Sequence, residues 1–214
     1  MEATALKAPD ASESDWKDGF LFLGNQTALD FLNTRPFQNG EPVELLPDFP
    51  ALLRWFRAAG LLSAPDAIQL QERCEDSPRG RRIWKGALDL RERLRTELAA
   101  WERGGSLSRS AIDEINRLLA AHPMRTRLKL NGKAYSEELW FDPNQPEDLL
   151  APLAHAAADL FANAPRDRVR KCEQCVLHFH DTSKKGTRRW CSMRLCGNRS
   201  KVAAYAARQR KRED

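Results

Sequence analysis

Four cysteines fall close together near the end of the chain, as Cys172-x2-Cys175, fifteen intervening residues, then Cys191-x4-Cys196. Two short pairs separated by a hairpin-length insertion present four sulfurs to one tetrahedral zinc ion, each at about 2.3 Å. Four thiolates leave no coordination position open, so the chemistry of such a site is structural and not that of a Lewis acid. His178 and His180 lie between the pairs, and either could replace a cysteine at the metal, although four sulfurs already complete the set. The run Val176, Leu177, His178, Phe179, His180 also reads as a strand with one aromatic facing inward. A redox role for Cys172-x2-Cys175 is the competing chemistry, because nearby cations activate thiolates. The fifth cysteine, Cys74, stands alone in a helical pattern, a distribution that favours a metal site over a disulfide framework.

The same segment is strongly basic. From Pro165 onward there are 15 Lys and Arg against 5 Asp and Glu, a net +10 within a chain of net +5. A zinc with four thiolates contributes −2, which leaves the module near about +8. Charge segregated in this way suits a polyanion-binding end, with double-stranded DNA as the expected partner, RNA as the alternative and a merely solvated basic face as the plain reading. Residues 197–212 lack proline and are rich in Ala, Lys and Arg, which predicts a helix starting at the metal site. On that helix Lys201, Tyr205, Arg208 and Arg212 share one stripe, while Arg199 and Arg210 face the other way. Lys184, Lys185, Arg188 and Arg189 add cations on the insertion between the cysteine pairs, where a loop tip can grip phosphates.

Cys191-Ser192-Met193 followed by Cys196-Gly197-Asn198-Arg199 resembles the CGNR zinc-finger family, as do Phe179, Asp181, Thr182, Ser183 and Arg188-Arg189-Trp190 before it. Leu29-Asp30-Phe31-Leu32-Asn33-Thr34 and the stretch 53–62, with Trp55 and Ala59-Gly60-Leu61-Leu62, resemble the ABATE-like regulator domain that accompanies this finger. The x2 spacing of the first cysteine pair departs from the wider spacing frequent in the family. The resemblance implies a stress- or metabolite-responsive bacterial transcription regulator with a DNA-binding finger at its C-terminus.

The rest of the chain must carry and position this module. Residues 1–15 are polar and acidic and read as a frayed tail, residues 16–164 as a mainly helical ligand-sensing domain, and residues 165–214 as the finger. The fold class expected is mainly α, with one β-hairpin in the helical domain and a small four-cysteine finger in which a hairpin precedes a basic helix. Residues 19–23 form a short apolar run that suits a strand, and Asn25 is placed to cap a helix carrying Ala28, Leu29, Phe31 and Leu32. Asp48 caps the next helix, which Gly60 ends, and Ser63-Ala64-Pro65-Asp66 is a capping box for a third reaching about Glu75. A long helix runs from Ser77-Pro78 to Gly104-Gly105, with Ile83, Ala87, Leu90, Leu94, Leu98 and Trp101 on one stripe. Ser108 caps a further helix with apolar Ile112, Ile115, Leu118 and Leu119. The period then changes to two, and Asn131-Gly132 predicts a type I′ hairpin over residues 126–141. A last helix spans about residues 147–164, and Pro165 marks the boundary.

Arg91 sits beside the apolar stripe of the long helix, where a guanidinium needs a carboxylate partner, whether Asp30, another internal acid, or an anionic ligand. Asn33, Thr34 and Trp55 are the companions expected for such a small-molecule pocket, with helix capping and core packing as the plain alternative. No glycine-rich phosphate loop, nucleophile elbow or HExxH motif occurs, so an enzyme is not expected. With no secretory leader or spanning run, the protein is expected in the cytoplasm at the nucleoid, and a homodimer is expected by analogy with regulators that read paired half-sites.

Overall fold

The computed structural model describes residues 15–38 and 40–213. All of the expected tail except Asp15 lies outside the described residues, as does the side chain of Arg212. Contacts divide the chain into two compact units, Leu45–Ala164 and a second formed by Pro165–Asp214 together with the chain up to Glu44. The first elements of the chain, grouped by sequence with the helices, thus make their contacts with the C-terminal module.

The unit of residues 45–164 is a helical cluster. Numbered in chain order after a first short helix described below, its helices are α2 (Phe49–Ala58), α3 (Ala64–Cys74), α4 (Pro78–Glu102), α5 (Arg109–Ala121) and α6 (Leu150–Asn163). The starts follow from side-chain acceptors: Asp48 accepts from the Ala51 amide, Ser63 from Asp66, Ser77 from Gly80 and Ser108 from Ala111, each supplying an orphan N–H of a first turn. Gly60 follows α2 with φ +74°, the left-handed conformation in which glycine avoids a Cβ clash. All six stripe residues of α4 are buried, against α2, α3, α5 and α6. Aromatic edges lock the layer: Trp101 meets Phe161 at 5.6 Å, and Phe56 meets Trp55 at 5.4 Å and Phe141 at 6.5 Å. On α5, Ile112 departs from the expected apolar face and stands 40% exposed.

A hairpin extends from this unit, with strands Arg125–Asn131 and Ala134–Trp140 paired antiparallel. Its loop is Gly132-Lys133, and only Gly132 has positive φ (+64°). That is the signature of a type II′ turn, with glycine first, so the type I′ turn centred on Asn131-Gly132 is corrected by one residue. Asn131 instead closes the ladder opposite Ala134 and donates to Ser136 Oγ at 2.7 Å.

The other unit begins with β1 (Trp16–Lys17) and β2 (Phe20–Leu21), continues through α1 (Thr27–Leu32), β3 (Phe37–Gln38) and β4 (Glu41–Pro42), and resumes at β7 (Val169–Lys171), β8 (His178–His180) and α7 (Asn198–Glu213); the long hairpin of the helical unit supplies β5 and β6. Gln26, not Asn25, caps α1 by accepting from the Ala28 amide at 2.7 Å, because Asn25 takes a left-handed turn (φ +54°) ahead of the helix. No helix among the described residues is long and apolar enough to cross a membrane.

The closest backbone approach in the helical unit is at Gly80, where a Cβ would lie 2.1 Å from the Cys74 carbonyl oxygen. Because that obstacle is backbone and cannot rotate away, Gly80→Ala is expected to cost about 1–3 kcal/mol or more. Ile112→Ala should cost less than about 1 kcal/mol. Urea unfolding midpoints compare the two, and equal effects would mean that α3 and α4 are not held in this contact.

Candidate metal centre and basic surface

β7 and β8 pair antiparallel, Val169 opposite His180 and Lys171 opposite His178, and the turn between them carries Cys172 and Cys175. The Cys172 amide donates to the Leu177 carbonyl at 2.8 Å, which closes this knuckle. The second pair is set differently. Residues Met193–Gly197 form a single π-helical turn, in which the amides of Cys196 and Gly197 both reach the Ser192 carbonyl at 3.0 Å. This wide turn is how an x4 spacing brings Cys191 and Cys196 to the same side. Glycine at 197 leaves room for Met193, whose sulfur would lie 2.7 Å from a Cβ there.

The result is a cluster in which one sulfur from each of the four cysteines lies within 4.8 Å of the others. Cys191 Sγ is 3.7 Å from both Cys175 Sγ and Cys196 Sγ. A tetrahedron with metal–sulfur bonds of 2.3 Å has edges of about 3.8 Å, whereas a disulfide requires about 2.05 Å. The neighbouring thiols, Cys175 foremost, hold Cys172 below the ordinary thiol range. Conversely Cys172 and Cys175 push both Cys191 and Cys196 above it. Four thiols this close cannot all ionise beside one another without a cation, and a central divalent ion removes the conflict. The donor set therefore fits one structural zinc. Among the described residues neither His178 nor His180 joins the cluster.

Phe179 is fully buried beside this centre, with the Arg188 guanidinium 4.8 Å from its ring. Leu21, Leu23, Leu177 and Phe179 form one hydrophobic cluster with Cys172, Cys191 and Cys196, and Trp16 and Trp190 pack at its margin. The N-terminal segment also completes the edge of β8. Asn33 Nδ2 donates to the His178 carbonyl and Asn33 Oδ1 accepts from the His178 amide, both at 2.9 Å. The His180 amide donates to the Gly24 carbonyl at 2.8 Å, and Asn25 Nδ2 donates to the His180 carbonyl at 2.9 Å. Ser192 Oγ donates to Asp15 at 2.7 Å.

The insertion carrying the loop cations is braced by a buried carboxylate. Asp181 accepts from the Ser183 amide at 2.9 Å and the Arg188 amide at 2.8 Å. Burial alone would raise its pKa, but these hydrogen bonds hold it down at about 2. Arg168 donates to the Asp181 and Ser183 carbonyls, and Arg170 to that of Gly186. Arg188 points inward to Phe179 and to the Cys191 carbonyl, at 2.6 Å. Arg189 pairs with Glu173 and lies over Trp190. Lys184 and Lys185 are exposed at the tip. On α7, Arg199, Lys201, Tyr205, Arg208 and Arg210 are all exposed, and Tyr205 Oη accepts from Gln209 Nε2 at 2.8 Å.

Compared with known families, residues 25–164 match the family described as "Putative stress-induced transcription regulator", ABATE. Residues 168–209 match the CGNR zinc finger. The chain belongs to the ABATE family. No curated protein matches it. The ABATE match begins inside the N-terminal segment whose Asn33 and Gly24 serve β8, so the family's sequence extent crosses the two compact units.

The residues expected to line a small-molecule pocket are distributed over both units. In the unit bearing the metal centre, Asn33 serves His178, Thr34 Oγ1 donates to the Phe31 carbonyl at 2.7 Å, and Asp30 accepts from the Gly24 amide at 2.7 Å. In the helical unit of the ABATE chain, Trp55 is wholly buried in the core, and the buried Arg91 donates from Nε to the adjacent Glu92 carboxylate at 3.0 Å. A cavity of the helical unit lies elsewhere. It is a cleft of about 630 Å³ bordered by Leu61, Asp66, Arg127, Lys129, Glu138 and Trp140, among others. Sequence reasoning did not find it, since it draws on the turn between α2 and α3 and on both strands of the hairpin, far apart in the chain.

Metal analysis of the purified chain should give one zinc per molecule. Chelation or Cys191→Ser should unfold the metal-bearing unit while the helical signal of residues 45–164 persists, and circular dichroism with zinc release reads both. Retained structure after complete metal removal would refute the assignment.

Burial raises the Asp30 carboxyl to about 6, against hydrogen bonds from Gly24 and Leu23 that lower it. A raised folded-state value means that folding favours the protonated acid. Its stabilising contribution is therefore complete below the unfolded value of 3.8 and is lost as pH rises through about 6. A carbon-detected NMR titration should place the Asp30 midpoint near 6, and a midpoint near 4 would show the carboxylate to be solvated.

Proposed function

We propose that the chain is a DNA-binding transcription regulator that grips duplex DNA with α7 and the tip of the 183–190 loop, under the influence of a small molecule held in the helical unit. The observation that carries this reading is α7. Among its described side chains none is buried, and its cations stand exposed on more than one side. A helix polar all round gains little from packing on its own protein and finds its use against a partner. A groove of about 420 Å³ on the loop between the cysteine pairs, bordered by Lys184, Lys185, Arg189, Trp190 and Met193, has the cationic rim and apolar floor that suit a sugar–phosphate strand. Zinc holds this surface in shape and takes no part in chemistry. The cleft of the helical unit is of a size for a metabolite. There Arg127 and Lys129, which pair with Glu138 and hold its carboxyl below the usual range, are donors to which an anionic effector can turn. The regulator would act at the nucleoid.

Fluorescence anisotropy with the chain's own promoter, random duplex and structured RNA tests this reading. Preference for the promoter at physiological salt is the expected outcome, and none over random duplex would end the specific-regulator reading. Preference for RNA would favour a nucleoprotein factor using the same cations. Lys201→Ala or Arg208→Ala should each weaken binding across sequences and reduce the slope of log K against log salt by about 1.

A further inference from the structure

The hairpin β5–β6 presents its side chains in the reverse of the usual order. Its register sets Thr126 opposite Leu139, Leu128 opposite Glu137 and Leu130 opposite Tyr135. Directly opposed residues share a face, so the three leucines and Tyr135 stand on one side, while Arg127, Lys129, Glu138 and Trp140 stand on the other and border the cleft. The apolar side is open to solvent, as are the β5 cations of the other side. Leu128 is 73% exposed, Tyr135 70% and Leu130 60%, with Leu139 at 47% bordering the cleft as well. Scattered exposed leucines are ordinary, but a contiguous row on a two-stranded sheet, which is marginal by itself, marks an interaction surface.

We infer that this face joins two copies of the chain, the hairpins stacking face to face about a two-fold axis. Three observations support that occupant. First, the residues outside the described structure hold few apolar groups to cover the row, since residues 1–14 contribute only Met1 and Leu6 as large aliphatic side chains. Second, the four exposed side chains amount to roughly 500 Å². Twice that, about 1,000 Å², reaches the lower bound for a specific interface, so a weak reversible dimer results.

Third, the charges choose the geometry. Arg125, Arg127, Lys129 and Glu138 stand on the cleft side, and Glu137 is the one charged side chain on the apolar side. Two-fold pairing along a sheet edge sets β5, which carries three cations, against β5, or β6, which carries two acids, against β6, and so opposes like charges. A stack whose axis runs across the strands likewise lays β6 over β6 and brings the two Glu137 carboxylates together. An axis parallel to the strands lays β6 of one copy over β5 of its partner, so the leucines and Tyr135 meet in the centre and the two Glu137 carboxylates stay apart.

The test uses the full zinc-loaded chain without DNA. Sedimentation equilibrium over a concentration series should show a reversible monomer–dimer equilibrium. Leu128→Lys with Tyr135→Lys should weaken it by about tenfold or more, with helical circular dichroism and zinc content unchanged, while Arg125→Gln on the opposite face should leave it within about twofold. A second measurement needs no variant. Tyr135 and Tyr205 are the only two tyrosines, and hydroxyl-radical labelling of Tyr135 should fall as protein concentration rises while Tyr205 stays constant. A monomer at every concentration, a dimer indifferent to both lysines, or Tyr135 labelling that does not change would each overturn the inference. The inference does not rest on DNA binding: a hairpin-dependent dimer without promoter preference sinks the regulator reading alone, and promoter binding by a strict monomer sinks the dimer alone.

Discussion

The geometry of the C-terminal module depends on the mutual repulsion of four crowded thiols and its relief by one divalent ion. Fifty residues, 15 of them cationic, cannot bury enough apolar surface to hold a fold by themselves. Metal–sulfur bonds replace the missing core and tie together two pieces of backbone that share no hydrogen-bonded sheet: the β7–β8 knuckle and the π-helical turn ahead of α7. The orientation of α7 at its root follows from the second of these, because Cys196 is the penultimate residue of that turn and Asn198 begins the helix. No side chain described farther along α7 is buried, so no later contact within the module corrects its direction.

Zinc alone does not complete the module. β8 is three residues long and has β7 on one edge only. Its other edge is satisfied by the Asn33 side chain, whose amide offers donor and acceptor as a strand's backbone would, and by the Gly24 carbonyl. Unpaired N–H and C=O groups at a buried position cost about 1–3 kcal/mol each, so this seam matters for stability as well as for shape. Leu21 and Leu23 add apolar contacts on the same side of the metal centre. A buried asparagine at 33 thus has an economical account as a strand substitute, with no ligand required.

Much of this was legible in the sequence wherever the cause was local. Caps at Asp48, Ser63, Ser77 and Ser108 act within three residues, the apolar stripe of α4 repeats over about five turns, and cysteine spacing reports a shared metal directly. The features that were not legible are those decided between distant residues. Asn33 and His178 are 145 positions apart, and nothing in the word around Asn33 distinguishes a side chain that pairs with a strand from one that caps a helix or binds a ligand. The hairpin turn was displaced by one residue for a related reason: Asn131-Gly132 is a strong local signal for two positive φ values, but the cross-strand register ended with Asn131 already in the ladder. The exposure of Leu128, Leu130 and Tyr135 was equally hidden, because alternation with period two reveals that a strand has two faces and not which of them meets solvent.

A count of basic residues also overstates the surface on which a polyanion can act. Arg168 and Arg170 are spent on carbonyls of the 181–186 loop, Arg188 on Phe179 and the Cys191 carbonyl, and Arg189 on Glu173. These four give the loop its form, and a guanidinium hydrogen-bonded to carbonyls keeps its charge but not its donors. The long-range field therefore includes them, whereas on the proposed reading close hydrogen bonding to phosphate would fall to Lys184 and Lys185 at the tip and to the exposed cations of α7. Field and contact then separate physically: the first sets salt dependence and rate of encounter, and the second sets which phosphates are held. A helix with cations on several sides and a loop with two lysines at its tip can follow a backbone closely; if the proposed partner is duplex DNA, discrimination among bases would have to come from the few neutral side chains they carry, such as Tyr205, or from the deformability of the duplex itself.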